Sequence, residues 1–157
     1  HLYMKHMPHH MMSGFPMDWA DGCVHVHLIR HPARVIASYR AKRQEVTLED
    51  IGYPQQLRVF QMLGGVVIDS SDILADPELM LRKLCDRLNL AFDPAMLSCP
   101  PVPRSADGIW AQHWYGSVHK STGFGSETPD LPKLEPVYAP LLQAALPIYS
   151  EMAAQRI

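Results

Sequence analysis

Residues 24–39 read VHVHLIRHPARVIASY, and the rest of the chain is best read outward from them. The apolar positions Val24, Val26, Leu28 and Ile29 predict a short strand, bounded by Gly22 before it and Pro32 after it. Pro32 suits the first turn of a helix, where its missing N–H costs nothing. Val35, Ile36 and Tyr39 continue at helical spacing, so a helix is predicted from Pro32 to about Gln44. Arg40, Lys42 and Arg43 fall in its last turns, where the helix dipole favours cations. A strand that stops at Arg30 and turns straight into a helix gathers a guanidinium and backbone N–H groups at one spot. Phosphate and sulfate groups bind such places. Ser38, eight residues on, can add a hydroxyl to the same anion. Structural readings of the same residues exist, with Arg30 paired to a helix carboxylate and Ser38 a small surface residue.

Composition bounds the function class. The 157 residues are 47% apolar and 19% charged, enough for one globular domain with a core. The formal net charge of −2 argues against a general nucleic-acid or anionic-membrane binder, so any anion site must be local. No apolar run is long enough to span a bilayer, and the N-terminus shows no secretory pattern. Cys23, Cys85 and Cys99 are odd in number and widely spaced, so neither a disulfide framework nor structural zinc is expected, and a cytoplasmic location is the default. The chain opens on His1 and HLYMKHMPHHMM, as though entering the middle of a fold.

Alternation of strand and helix predicts an α/β sheet with helices on its faces. Leu2, Tyr3 and Met4 suit the end of a strand, and Ser13 to Cys23 reads as loop. Thr47 and Asp50 form a capping box expected to start a short helix. A second helix is predicted over Pro54–Leu63, ended by Gly64 and Gly65, with a buried parallel strand over Val66–Asp69. Asp76-Pro77-Glu78 marks another helix start, with Met80, Leu81, Leu84 and Leu88 as its apolar stripe. Pro94 to Leu97 suits one short turn. Residues 99–136 read as a long Pro-, Gly- and Ser-rich loop. A final helical region is predicted over about Leu134–Met152, bent or broken at Pro140 and Pro147.

Several runs of sequence carry a family resemblance. LIRHPARVIASY (28–39) resembles the 3′-phosphate-binding segment of sulfotransferases that use 3′-phosphoadenosine 5′-phosphosulfate (PAPS). VIDSSDILADPELMLRKLCDRLNLAF (67–92) is similar to that family's strand, acidic turn and following helix, and HWYGSVHKSTGF (113–124) to its C-terminal cofactor loop. KHMPHH, LEDIGYPQQ, DGIWAQHWY and STGF, in this order, are similar to a bacterial sulfotransferase-like group. The resemblance covers roughly residues 1–125 and implies a P-loop-NTPase-like sulfotransferase fold, a parallel sheet flanked by helices. It further implies a single partial domain, truncated at its N-terminus so that the first strand and the 5′-phosphosulfate loop are missing, with a C-terminal helical region at about 134–157.

The resemblance also implies roles. Arg30 and Ser38 would hold the 3′-phosphate, with Lys120, Ser121, Thr122 and Gly123 assisting as a phosphate clamp. His6 would be the base that takes the acceptor's proton, and Lys5 would place positive charge near the transferring sulfonate. This sequence departs from the family in two places: Lys5 directly precedes His6 instead of lying two residues before it, and His119 replaces the basic residue before Lys120. PAPS is the implied cofactor and a small-molecule acceptor the implied partner, with no metal, nucleic acid or membrane. The chain alone is expected to be inactive or very weak.

Other readings stay open. A non-catalytic anion- or nucleotide-binding domain would use the same turn. Similar bacterial proteins are sometimes labelled branched-chain aminotransferase-like, although no Lys here sits in a context suited to a pyridoxal phosphate Schiff base. His1, Met4, His6, Met7, His9, His10, Met11 and Met12 form a soft-ligand cluster of the kind that holds Cu(I), or they are loop and core residues. Trp110, Trp114 and Tyr115 line an acceptor pocket, stack on adenine, or pin the long loop to the core.

Overall fold

The computed structural model describes residues 2–41, 45–101, 108, 116, 118–126 and 128–157. The chain divides into two compact units, one of residues 1–71 and 128–157, the other of residues 72–127.

The first unit is built on two parallel strands, β1 (Val26–Ile29) and β2 (Val66–Asp69), in register from Val26 opposite Val66 to Ile29 opposite Asp69. Alternation along β1 buries His27 and Ile29 and leaves Val26 and Leu28 exposed. Gly65 makes the close entry to β2 possible. Its φ of +118° lies in glycine territory, and a Cβ there would stand 2.6 Å from the His25 carbonyl oxygen. That carbonyl accepts the Val66 N–H at 3.0 Å. The Ile157 N–H donates to the Val67 carbonyl at 3.1 Å, so the last residues pair with the outer edge of β2.

Carbonyls alternate along a strand, so those of Leu28 and Arg30 face away from β2. Two side chains of helix α2 (Tyr53–Leu63) meet them: Gln56 Nε2 donates to Leu28 at 2.9 Å and the Tyr53 hydroxyl to Arg30 at 2.5 Å. Arg58 of the same helix donates to the Met11 carbonyl, which ties down the N-terminal segment.

Helix α1 (Pro32–Arg40) follows β1 directly, with Pro in its first turn and His31 as N-cap. A long C-terminal helix (Ala139–Ala153) completes the unit. Ile29, Val67, Met152 and Ala153 form one buried cluster under Leu57, Phe60 and Tyr149. Ile36, Ile51, Tyr53 and Ala145 form a second. Fully burying the Ile, Val and Met side chains among these stabilises by about 1.5–3 kcal/mol each.

After β2 the chain turns into α3 (Ser70–Ala75) and then α4 (Pro77–Arg87), so the C-terminal helix is α5. Asp76 caps α4, accepting the Leu79 N–H at 3.0 Å. Within the second unit Met80 and Cys85 are buried, and Arg82 bonds Glu78 one turn back while lying over the Phe92 ring. Gly123 forms an antiparallel bridge with Ser98, and Cys99 N–H donates to the Thr122 carbonyl at 3.0 Å.

Several expectations need correcting. Leu2 to Met4 form no strand; the segment leads instead to a 3-10 turn at Pro8–His10. Thr47 and Asp50 do bond reciprocally, Thr47 N–H and Oγ1–H to the Asp50 carboxylate and Asp50 N–H back to Thr47 Oγ1, yet they close a turn and no helix. Helix α1 ends at Arg40, and residues 42–44 lie outside the described set. Neither Pro140 nor Pro147 breaks α5: Pro140 sits in the first turn, and Pro147 lies inside a continuous helix packed on both buried clusters. Helix α3 had no signal in the sequence reading.

Candidate functional site

The C-terminal ends of parallel strands are where an α/β sheet places its ligands. In the first unit, β1 ends there on Arg30 and His31, and β2 on Asp69 and Ser70. Arg30 is exposed, and its backbone is fixed by the Tyr53 hydroxyl. Tyr53 itself is buried. Burial, with Tyr149 and Asp69 adding to it, pushes its phenol well above the usual range, so it stays a neutral donor.

His31 accepts the Ala33 N–H on Nδ1 at 3.2 Å, which satisfies a donor at the start of α1. Its ring meets Tyr149 edge-on, 5.3 Å between centroids. Burial and the neighbouring Arg34 guanidinium lower the His31 pKa, with Asp69 opposing. Asp69 is 3% exposed, and a carboxylate so placed needs partners. It has them: the Tyr149 hydroxyl donates to Oδ2 at 2.7 Å and the Ser71 N–H to Oδ1 at 2.8 Å.

Ser38 is exposed on α1 and makes no side-chain hydrogen bond among the described residues. It lies six residues past Pro32, about 9 Å of helix rise, so its hydroxyl stands well up the helix from the Arg30 turn. Arg34, on the first turn of α1, donates to the Thr128 carbonyl at 2.5 Å. His27, in mid-strand, is buried and donates from Nε2 to the Gly64 carbonyl at 2.9 Å. Burial lowers its pKa, a shift that this bond opposes and His25 reinforces.

Lys5 and His6 are exposed in the N-terminal segment, where the His6 ring lies 5.1 Å from that of Trp19. His9 and His10 stack edge-to-face at 4.2 Å. Among the described residues no group of three or more His, Cys, Asp or Glu side chains is arranged to hold a metal, and His1 lies outside that set. Lys120 ends a 3-10 turn in the second unit and is exposed, as is Thr122. Ser121 and Gly123 are partly covered, and Gly123 is a close-approach position, since a Cβ there would lie 2.7 Å from the Leu97 carbonyl. Trp110, Trp114 and Tyr115 lie outside the described residues. Among the described residues no helix is long and apolar enough to cross a membrane.

Sequence reading missed His31, Asp69, Tyr53 and Tyr149. Only His31 had a local signal, as the residue before a helix-opening Pro.

A strand ending on an exposed Arg, turning at once into a helix that carries an exposed Ser, is matched by a family model. The sulfotransferase domain model covers residues 1–156. The chain belongs to the sulfotransferase-domain family. Two Arabidopsis thaliana proteins are similar to it. "Branched-chain-amino-acid aminotransferase-like protein 1" is 34% identical over 154 residues, and "Branched-chain-amino-acid aminotransferase-like protein 2" is 30% identical over 153. Each match takes in 94% of this chain but 27% of the relative, so the chain spans about a quarter of those proteins' length. No solved structure matches. Within this sulfotransferase domain the sheet is small and parallel with helices around it, consistent with the family.

Proposed function

We propose that this sulfotransferase domain binds the nucleotide end of PAPS at the β1–α1 turn and serves sulfonate transfer to a small-molecule acceptor. The observation that carries the reading is Arg30, exposed at the end of β1 with its backbone held by Tyr53, in a chain matched along its length by the sulfotransferase family. The donors present fit a phosphate. At the turn Arg30 offers a forked guanidinium and α1 its N-terminal dipole, and Ser38, further up the helix, is proposed to add its open hydroxyl.

When bound, PAPS supplies a sulfonate activated by its bond to the 5′-phosphate. His6 would take the proton of the acceptor hydroxyl or amine, and adenosine 3′,5′-bisphosphate would be the leaving group. Lys5 offsets charge on the sulfonate oxygens. Most of the rate enhancement would come from positioning and charge stabilisation.

Calorimetric titration of the whole chain with adenosine 3′,5′-bisphosphate and with adenosine 5′-monophosphate tests the reading. The bisphosphate should bind at least about tenfold more tightly, and Arg30→Ala should erase the difference. Equal affinity for the two nucleotides would overturn it.

A further inference from the structure

The β1–α1 turn holds a polar group that the phosphate reading leaves unused. His31 stands between Arg30 and Pro32, and its Nδ1 accepts the Ala33 N–H at 3.2 Å. A ring nitrogen that accepts carries no proton, so neutral His31 carries its proton on Nε2. That N–H has no hydrogen-bond partner among the described residues, and the ring is only partly covered.

We propose that His31 is a further binding residue of this site, donating from Nε2 to the anion held by Arg30, and that the anion is bound together with a proton taken up by His31. The inference rests on the phosphate reading above and deepens it. Without a ligand, protonating His31 has three costs. Nδ1 can no longer accept from Ala33, a cation is set against the positive end of α1, and that cation faces Arg34. A bound dianion offsets the last two and replaces the first, because it can accept the freed backbone N–H.

Among the described residues, the other charged and titratable groups around the ring are Arg30 in its own turn, Asp69 at the end of β2, Tyr149 on α5 and Tyr53 on α2. Asp69 favours the imidazolium, but its two oxygens are already occupied by Tyr149 and Ser71. Linkage then requires that affinity rise as pH falls, since a ligand that raises the pKa of a group binds better where that group is protonated.

Sulfate tests this cleanly, because it stays a dianion through the range in which histidine titrates. Its affinity for the full chain is measured by calorimetry at pH 7.5, 6.5 and 5.5, for the wild type and for His31→Asn, which keeps a capping acceptor and removes the titration. The wild type should gain about three- to tenfold in affinity across that range, and His31→Asn should lose most of the gain. In parallel, NMR titration of the wild-type His31 ring should show its pKa rise when sulfate is added. An undiminished slope in His31→Asn, or a His31 titration that sulfate leaves unmoved, overturns the inference while the phosphate reading stands. Absence of sulfate binding at every pH overturns both. Should His31→Asn fail to fold, the wild-type ring titration decides alone.

Discussion

The Tyr149 hydroxyl of α5 donates to the Asp69 carboxylate at the end of β2, 2.7 Å away and 80 residues apart in sequence. This bond joins the C-terminal helix to the end of the sheet from which the β1–α1 turn leaves. Tyr149→Phe keeps the ring and removes the donor, leaving a buried carboxylate with the Ser71 N–H as its remaining partner among the described residues. A loss of about 1.5–3 kcal/mol is expected from urea denaturation, the range for a hydrogen bond to a charged group. A change below about 0.5 kcal/mol would mean that Asp69 is satisfied in some other way.

Stability should fall as the medium is acidified through the histidine range. His27 and His31 both have pKa values lowered from 6.5 by burial. Just below pH 6.5 the unfolded chain therefore binds more protons than the folded one, and acid favours unfolding. The loss runs from about pH 6.5 down to the folded-state values and then levels off. Thermal midpoints at pH 7.5 and 5.5 should show the drop, and a higher midpoint at pH 5.5 would contradict it.

Gly65→Ala should cost about 2 kcal/mol or more, because φ is +118° and the new Cβ would press on the His25 carbonyl that pairs with Val66. Gly22→Ala is the control. Nothing lies within 4 Å of a Cβ there, and stability should change by less than about 0.5 kcal/mol.

Ser38→Ala should leave folding untouched, since the hydroxyl is exposed and unbonded among the described residues. Its affinity for adenosine 3′,5′-bisphosphate should drop roughly tenfold, the effect of one charge-assisted hydrogen bond. Calorimetry on the same preparation reads both quantities. Unchanged affinity would remove Ser38 from the site.

Asp76→Ala should destabilise the second unit by about 1 kcal/mol through loss of the bond from Leu79 N–H. Hydrogen exchange of the amides in α4 would report it locally, and unaltered protection would show that the cap adds nothing.

The elements around the β1–α1 turn were legible because punctuation residues bound them. Gly22, Pro32 and the Gly64-Gly65 pair frame β1, α1 and β2, and β2 runs over the residues its apolar run indicated. Asp76-Pro77 marked α4 in the same way. The continuity of α5 was not legible. A helix-interior proline costs about 3 kcal/mol locally, and the burial of Ala145, Met152 and Ala153 that outweighs it depends on residues distant in sequence. Leu2 to Met4 misled because three apolar residues say nothing of a partner strand.

The strand–helix junction that carries Arg30 and Ser38 could be read from the sequence, since the strand end and the helix start are local. The Asp69–Tyr149 bond could not, because nothing near either residue announces the other. His31 falls between these cases. Its position before Pro32 marks a cap, but the direction of its titration depends on burial and on Arg34.

The edge of β1 that faces away from β2 is secured by Gln56 and Tyr53, where a further strand would use its own backbone. Backbone pairing is indifferent to which amino acids carry it, whereas these two bonds each hang on a single codon. Selection can therefore loosen or tighten the seat of Arg30 one substitution at a time, by changing a helix that carries neither Arg30 nor Ser38.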